Sequence, residues 1–130
     1  MTARLFQRLG ALSGVAAAAL SFALPAHADG EVTLYTTREA GLIQPLLTAY
    51  TAQSGVKVNT VFVKDGLLER VKAEGARSPA DVLMTVDIGN LVDLVEGGVT
   101  QPAKSAALDA AVPANLRAAD GQWYALSLRA

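Results

Sequence analysis

Short runs of apolar and β-branched residues recur along the chain and predict strands. Residues 32–36, with the sequence VTLYT, are rich in β-branched and aromatic side chains, as strands commonly are. The same criterion predicts a second strand at residues 57–63 and a third at residues 81–86. Residues 123–128 predict a further strand near the end of the sequence.

A helical spacing of apolar residues separates the first two of these strands. One predicted helical face of residues 42–54 holds Leu42, Leu46, Leu47 and Tyr50. Pro45 fits the first turn of this helix, where a missing N–H has little effect. Gly55 is typical of the residue that ends a helix, so the helix is expected to stop at residue 54.

Two more helices are predicted at residues 67–74 and 88–96, and both are followed by glycine. Arg70 and Glu74 are four residues apart in the first of them, which predicts a weak surface ion pair. From residue 99 to residue 120 the pattern weakens, and residues 101–102 and 112–115 predict extended or turn segments.

The alternation of strands and helices predicts a parallel α/β sheet. In such sheets ligands bind beyond the carboxyl ends of the strands. The segments that follow the three predicted strands are residues 36–39, 64–66 and 86–89. Candidate functional side chains are therefore expected in these loops.

The first 28 residues have the organisation of a secretory signal peptide. Arg4 and Arg8 precede an apolar run at residues 12–24, and the small-x-small sequence of residues 26–28 precedes Asp29. The alternative is an uncleaved N-terminal anchor, although the apolar run is short for a membrane span. We therefore expect a signal peptide at residues 1–28 and one small α/β domain at residues 29–130.

Composition restricts the chemistry of the exported part. The only histidine of the chain, His27, would be removed with the signal peptide, and the chain has no cysteine. The exported part would therefore contain neither residue. A metal held by the remainder must accept oxygen ligands. Nucleophilic catalysis with a histidine base or a thiol is excluded, whereas a reaction that uses paired carboxylates stays open.

The charge balance argues against nucleic acid as a partner. Cleavage removes Arg4 and Arg8 from the 11 basic residues and leaves all 12 acidic ones, which gives a net charge of −3. Nucleic-acid binding requires clustered basic residues. No nucleic-acid partner is expected.

Five blocks of residues resemble a known family. They are residues 34–38, 51–58, 68–75, 78–87 and 123–129, of which the SPADVLMTVD block at 78–87 is the most specific. Over nearly all of residues 32–130 the chain resembles the N-terminal lobe of the periplasmic ferric-iron-binding proteins of ABC transporters. The resemblance implies the parallel-sheet lobe of a type II periplasmic binding protein fold, with the second lobe absent from this chain.

The resemblance also implies a function without catalytic turnover. In this family two lobes close on Fe³⁺ in the periplasm for delivery to an ABC permease in the inner membrane, and the protein is expected to be a monomer. Tyrosinate oxygens of the second lobe are the principal ligands, together with an anion such as carbonate. Phenolate suits Fe³⁺ because a hard ion prefers anionic oxygen.

Individual site residues are implied by matching positions. Some members have a histidine ligand after the first strand, where this chain has Glu39, and a glutamate ligand at the end of the third strand, where it has Val86. These departures match the subgroup whose first lobe gives no protein ligand to iron and holds the anion with two arginines. The matching arginines here are Arg38 and Arg129, and Glu39 is a weak candidate metal ligand.

Other roles stay open for these and neighbouring residues. Arg38 could instead form a surface ion pair with Glu39 or Glu31. Tyr35, Thr37 and Asp87 are candidate cleft-wall residues.

Alternatives also remain for individual side chains and for the ligand. Tyr35 is as easily a core residue, Asp87 is more typical of a helix cap, and Asp81 is expected to cap or brace the entry to the third strand. A small organic anion or a polyamine remains an alternative ligand, because two-lobed folds host many solutes.

Overall fold

The computed structural model describes residues 30–128. The predicted signal peptide and Arg129 lie outside the described residues. The strands and helices are β1 (Glu31–Thr36), α1 (Ala40–Ser54), β2 (Lys57–Phe62), α2 (Leu67–Glu74), β3 (Val82–Met84), α3 (Ile88–Glu96) and α4 (Ala106–Ala111), with 3₁₀ turns at Gly75–Arg77 and Ala114–Leu116. None of the helices in this part of the chain combines the length and apolar character that a membrane crossing requires.

The three strands form a parallel sheet in the order β2-β1-β3. Leu34 of β1 lies opposite Thr60 of β2 on one side and Val82 of β3 on the other. Across the sheet, the chain therefore steps to one side from β1 to β2 and steps back past β1 from β2 to β3. Because parallel crossovers are right-handed, α1 and α2 cover opposite faces of the sheet. The predicted parallel α/β sheet is confirmed.

The hydrophobic core lies between the sheet and the helices α2 and α3, which pack on the same face of it. Its buried residues are Tyr35, Val63, Leu67, Val71 and Leu94. Tyr35 and Leu94 are each 1% exposed, which shows that the central strand and α3 are the most enclosed parts of this layer. α3 begins and ends where the sequence predicts, and Gly97 and Gly98 follow it.

The predicted end of α1 at Ser54, followed by Gly55, is confirmed, but its predicted start and buried face are wrong. The helix begins at Ala40, so Pro45 lies in its second turn rather than its first. Leu42 and Leu46 are exposed, and Ile43 is the buried residue of the helix. Apolar side chains on adjacent stripes of this helix make either face a plausible core face by periodicity alone. Only the position of the sheet decides between them.

β3 is shorter than predicted, and side chains make part of the pairing with β1 beyond both of its ends. Asp81 Oδ2 accepts a 2.8 Å hydrogen bond from the Thr33 N–H, which confirms that Asp81 braces the strand entry. At the other end, the Val86 N–H donates to Thr37 Oγ1 at 3.2 Å. Regular pairing with β1 therefore stops at Met84.

The predicted strand at residues 123–128 is wrong. This segment forms only one isolated antiparallel bridge, between Arg117 and Tyr124. Gly121 turns the chain between them with a φ of 77°, and an added Cβ there would lie 2.9 Å from the Ala103 carbonyl oxygen. The apolar and aromatic residues of this segment therefore form a tight local loop that the period-2 pattern cannot distinguish from a strand.

The helix α4 was not predicted. It occupies six residues within the stretch of residues 99–120, where the sequence pattern weakens. Ser105 caps it by accepting a 3.3 Å hydrogen bond from the Leu108 N–H. A six-residue helix spans less than two turns, which is too short for an apolar periodicity to appear in the sequence.

Candidate functional site

The carboxyl ends of β1 and β3 form a crevice at the point in the sheet where the strand order reverses. The chain leaves β1 toward β2 on one side, and β3 lies on the other side. This topological switch point is where open α/β sheets bind their ligands. The loop after β1 and the loop after β3 therefore define the candidate site.

Two threonines fix these loops. Thr37 donates its N–H to the Met84 carbonyl oxygen at 3.1 Å and accepts the Val86 N–H with Oγ1. Thr36 is fully buried, and its Oγ1 accepts the Arg38 N–H at 3.0 Å. Thr37 thus braces the two loops against each other, while Thr36 holds the backbone at Arg38.

Arg38 lies half-buried at the mouth of this crevice, on the wall of an open concavity of about 1510 Å³. Among residues 30–128 its guanidinium makes no salt bridge, and neither Glu31 nor Glu39 pairs with it. Glu31 is engaged with Lys57 at 3.1 Å and with the Asn59 amide at 2.9 Å. Within residues 30–128, no carboxylate engages the guanidinium donors of Arg38.

The start of α1 adds positive potential beside Arg38. Its N-cap residue is Glu39, whose side chain makes no capping hydrogen bond, and the first turn holds no acidic residue. The N-terminal N–H groups of a helix carry a partial positive charge. Combined with a planar guanidinium, which matches the geometry of carboxylate-like anions, this arrangement is suited to a small anion.

Asp87, on the opposite side of the crevice, is a helix cap. Its Oδ1 accepts the Asn90 N–H at 2.9 Å, and its Oδ2 accepts the Asn90 Nδ2 amide at 2.7 Å. This confirms the predicted cap on α3. Asp87 also lines the concavity, but both of its carboxylate oxygens are engaged.

Tyr35 is a core residue, and the expectation that it forms a cleft wall is wrong. It is 1% exposed, and its hydroxyl donates a 3.0 Å hydrogen bond to Glu74 Oε1. The Arg70 guanidinium lies 4.7 Å from the centre of its ring, within the range of a cation–π contact. The side chain lies on the face of the sheet that α2 covers, and its neighbours Leu34 and Thr36 face the opposite side because side chains alternate along a strand.

Glu74 is the centre of the polar cluster around Tyr35. The predicted Arg70–Glu74 ion pair is confirmed at 3.0 Å, and the Ser78 hydroxyl donates to Glu74 Oε2 at 2.7 Å. The Ser78 hydrogen bond and then the Arg70 guanidinium lower the pKa of Glu74 below its ordinary value of 4.5. The spacing of residues in the sequence predicts only the Arg70–Glu74 pair of this cluster. The contact of Tyr35 with Glu74 joins residues 39 positions apart and cannot be predicted from spacing.

The described residues offer no ready-made metal centre. Nowhere in residues 30–128 do three or more His, Cys, Asp or Glu side chains come together around a metal-sized space. The Tyr124 hydroxyl donates to the Ala103 carbonyl oxygen at 2.8 Å, so this phenol, like that of Tyr35, already has a protein partner. Glu39 is exposed and stands alone as a candidate carboxylate ligand.

Sequence comparison connects the chain with iron proteins. It is 46% identical over 101 residues to the iron uptake protein A1 of Synechocystis, which covers 77% of this chain and 28% of that protein. It is 36% identical over 118 residues to the major ferric iron-binding protein of Neisseria gonorrhoeae, which covers 87% of this chain and 34% of that protein. No protein-family model matches the chain.

Solved structures give the same result for the fold. A Bordetella ferric binding protein matches with a TM-score of 0.72 and 75% sequence identity over 75% of this chain and 31% of its own. The chain is a homologue of part of the periplasmic ferric-iron-binding proteins. A Trichodesmium member of this family, in complex with iron and citrate ligands, matches with a TM-score of 0.68 and 45% identity over 73% of this chain and 30% of its own.

The match to the ferric-iron-binding proteins assigns the lobe to the type II periplasmic binding protein fold, as the sequence predicts. The chain spans between 28% and 38% of the length of the curated relatives. These relatives are named for iron uptake and ferric iron binding, and the region they share with this chain includes the crevice that carries Arg38.

Proposed function

We propose that the full-length protein is the substrate-binding component of an ABC importer that captures Fe³⁺ together with a small anion in the periplasm. The observation that carries this proposal is the position of Arg38, which pairs with no acidic side chain among residues 30–128, at the switch point of a fold shared with ferric-iron-binding proteins. The protein then delivers its cargo to a permease in the inner membrane and works as a monomer. It catalyses no reaction.

The contribution of this lobe is the anion subsite. Arg38 provides two parallel N–H donors, and the uncapped start of α1 provides further N–H groups. Arg129, which lies outside the described residues, is the second arginine that the resemblance implies. Such donors hold carbonate, or a carboxylate of citrate, in a fixed orientation. The anion in turn offers oxygen atoms to the iron.

The principal iron ligands come from the part of the protein beyond this chain. Fe³⁺ is a hard ion that prefers anionic oxygen, and a bound cation lowers the pKa of a phenol enough for it to bind as phenolate. Tyrosinates of a second lobe meet this requirement. Within residues 30–128, Glu39 is the carboxylate best placed to add one more ligand from the rim of the crevice.

A small organic anion is the second candidate ligand. The same guanidinium and helix terminus would hold the carboxylate of an organic acid without iron. A polyamine would need carboxylates inside the crevice, and among residues 30–128 Asp87 is engaged with Asn90 while Glu39 is exposed at the rim.

Visible absorption separates the two candidates. Residues 30–128 would replace the matching segment of the Bordetella ferric binding protein, which is 75% identical, and the purified chimera would be titrated with ferric citrate. We expect a tyrosinate–iron absorption band that saturates at one iron per protein; because the tyrosinates come from the Bordetella part, the band tests whether this lobe supplies a working anion subsite. Absence of the band, together with binding of an organic acid to the iron-free chimera, would reject the ferric function in favour of the second candidate.

A further inference from the structure

Thr36, the last residue of β1, is the only buried residue among residues 30–128 that is neither apolar nor aromatic. It is 0% exposed, and it lies on the opposite face of the sheet from Tyr35. A buried hydroxyl lowers stability unless it is hydrogen-bonded, whereas valine has nearly the same shape and is favoured in strands. The hydroxyl of Thr36 therefore needs an explanation beyond packing.

The hydroxyl of Thr36 is engaged with the backbone of Arg38. Its Oγ1 accepts the Arg38 N–H at 3.0 Å, which is the kind of local contact by which threonine closes a turn on its own backbone. The preceding N–H, that of Thr37, still donates to the Met84 carbonyl oxygen of β3 at 3.1 Å. The Thr36 hydroxyl therefore takes the place of a strand partner at the first position beyond the ladder.

The residue that provides this acceptor is itself fixed by the sheet. The Thr36 carbonyl oxygen accepts the Val63 N–H at 2.9 Å on the side of β2, while Thr37 is bonded to Met84 on the side of β3. A branched side chain has few rotamers, and burial of Thr36 restricts them further. The hydroxyl oxygen is therefore held in one place, and through it the backbone of Arg38 is tied to the central strand.

A fixed backbone at Arg38 favours anion binding by its guanidinium. Ordering a loop and a long side chain at the moment of binding costs conformational entropy, which lowers affinity. A donor that is already in place when the anion arrives avoids the part of this cost that comes from the backbone. The backbone at the base of a long side chain also determines where its donors can reach, so a rotation at Arg38 would move the guanidinium away from the crevice.

We propose that Thr36 is a positioning residue for the anion subsite, whose buried hydroxyl holds the backbone of Arg38 so that the guanidinium faces the crevice before the anion binds. Thr36 does not touch the anion, because its side chain is enclosed in the fold. Its role differs from that of Thr37, whose hydroxyl joins the loops after β1 and β3. This inference rests on the proposed function, since it requires that Arg38 binds an anion.

Two substitutions in the Bordetella chimera separate positioning from packing. Thr36→Val keeps the shape of the side chain and removes the acceptor, whereas Thr36→Ser keeps the acceptor and removes a buried methyl group. Thr36→Ser is expected to be the less stable variant, because loss of a buried methyl group destabilises a core. Anion affinity is expected to change in the opposite order: about fivefold weaker in Thr36→Val, as for loss of one hydrogen bond, and within about twofold of the parent in Thr36→Ser.

Carbonate would be titrated into the iron-loaded chimera with the tyrosinate–iron band as the signal, and urea unfolding would give the stability of each variant. Thr60→Val, the same substitution on β2, is the matched control and is expected to leave the affinity unchanged. Hydrogen exchange of the Arg38 amide is a second readout, expected to be at least about tenfold faster in Thr36→Val than in the parent. Affinities that follow stability, with Thr36→Ser the weaker binder, would overturn the proposal.

Arg38→Gln distinguishes failure of this inference from failure of the proposed function. If Arg38→Gln weakens carbonate binding and Thr36→Val does not, the anion subsite stands and the positioning role is rejected. If Arg38→Gln leaves carbonate binding unchanged, the anion subsite is rejected and the positioning role with it. If Thr36→Val does not fold, Thr36→Ala takes its place, because alanine also removes the acceptor and adds no volume.

Discussion

The hydroxyl of Tyr35 donates a 3.0 Å hydrogen bond to Glu74 Oε1 and so joins the central strand to α2. Arg70 donates to the same Glu74 oxygen at 3.0 Å. This carboxylate oxygen is therefore still satisfied when the phenol is removed. The contributions of the ring and of the hydroxyl can be separated by mutation.

Tyr35→Phe is expected to lower the free energy of unfolding by about 1 kcal/mol, the usual value of one hydrogen bond. Tyr35→Ala is expected to cost about 3–5 kcal/mol, because it also removes the ring from the core. Urea unfolding followed by circular dichroism measures both. Tyr50→Phe, on an exposed position of α1, is the control and should leave stability unchanged.

Glu74 is expected to make the stability of the lobe sensitive to acid. Its pKa is lowered in the folded protein by Ser78 and Arg70, so its contribution is complete above the ordinary value of 4.5 and is lost as pH falls through the folded pKa. Glu74→Gln should therefore flatten the loss of stability below pH about 4.5. Glu69→Gln, on the same helix, controls for the change of a surface carboxylate; an equal flattening there would contradict the assignment.

Arg38→Gln in the iron-binding chimera is expected to weaken binding of the anion by about 10- to 100-fold, the range for loss of a hydrogen bond to a charged group. Arg38→Lys should recover part of the affinity, because it restores the charge without the planar fork. Titration of the iron-loaded protein with carbonate or citrate measures the affinity. Lys57→Gln removes a positive charge that is paired with Glu31 and should have little effect.

Thr37→Val keeps the shape of the side chain and removes the oxygen that accepts the Val86 N–H. We expect a loss of about 1 kcal/mol in stability and faster hydrogen exchange at the Val86 amide. Thr60→Val on β2 is the matched control. If exchange at Val86 is unchanged in Thr37→Val, the hydroxyl does not brace the two loops in solution.

The 130-residue chain alone is expected to take up Fe³⁺ poorly. Residues 30–128 hold no cluster of three potential side-chain ligands of the His, Cys, Asp or Glu type, and the Tyr35 and Tyr124 hydroxyls have protein partners. Equilibrium dialysis against ferric citrate would test this expectation. Tight uptake of one iron per chain would show that this lobe carries more of the metal site than we propose.

Local signals in the sequence predict the elements whose ends are set by neighbouring residues. α3 has its predicted bounds because Asp87 caps its start and two glycines follow its end. The buried face of α1 could not be predicted in the same way, since Leu42 and Ile43 are both apolar and only the sheet determines which is covered. The same limit applies to residues 123–128, where a strand-like pattern forms a loop.

The site shows a similar division. The position of Arg38 directly after a predicted strand places it at the carboxyl end of the sheet, where ligands bind. The crevice itself forms because the strand order puts β3 beside β1. The Thr37–Val86 contact joins residues 49 positions apart, and the burial of Tyr35 depends on α2. Neither relationship leaves a periodic or local signal in the sequence.

The central position of β1 also determines the order in which the sheet can assemble. Glu31 pairs with Lys57, and Leu34 pairs with Val82, so the strand that is synthesised first is the template for both of the later ones. The first pairing joins residues 26 positions apart and the second joins residues 48 positions apart, and such non-local parallel pairings form more slowly than local contacts. A nascent chain that has passed residue 62 can already form half of this sheet, and β3 then completes it by adding to an edge that is already in place.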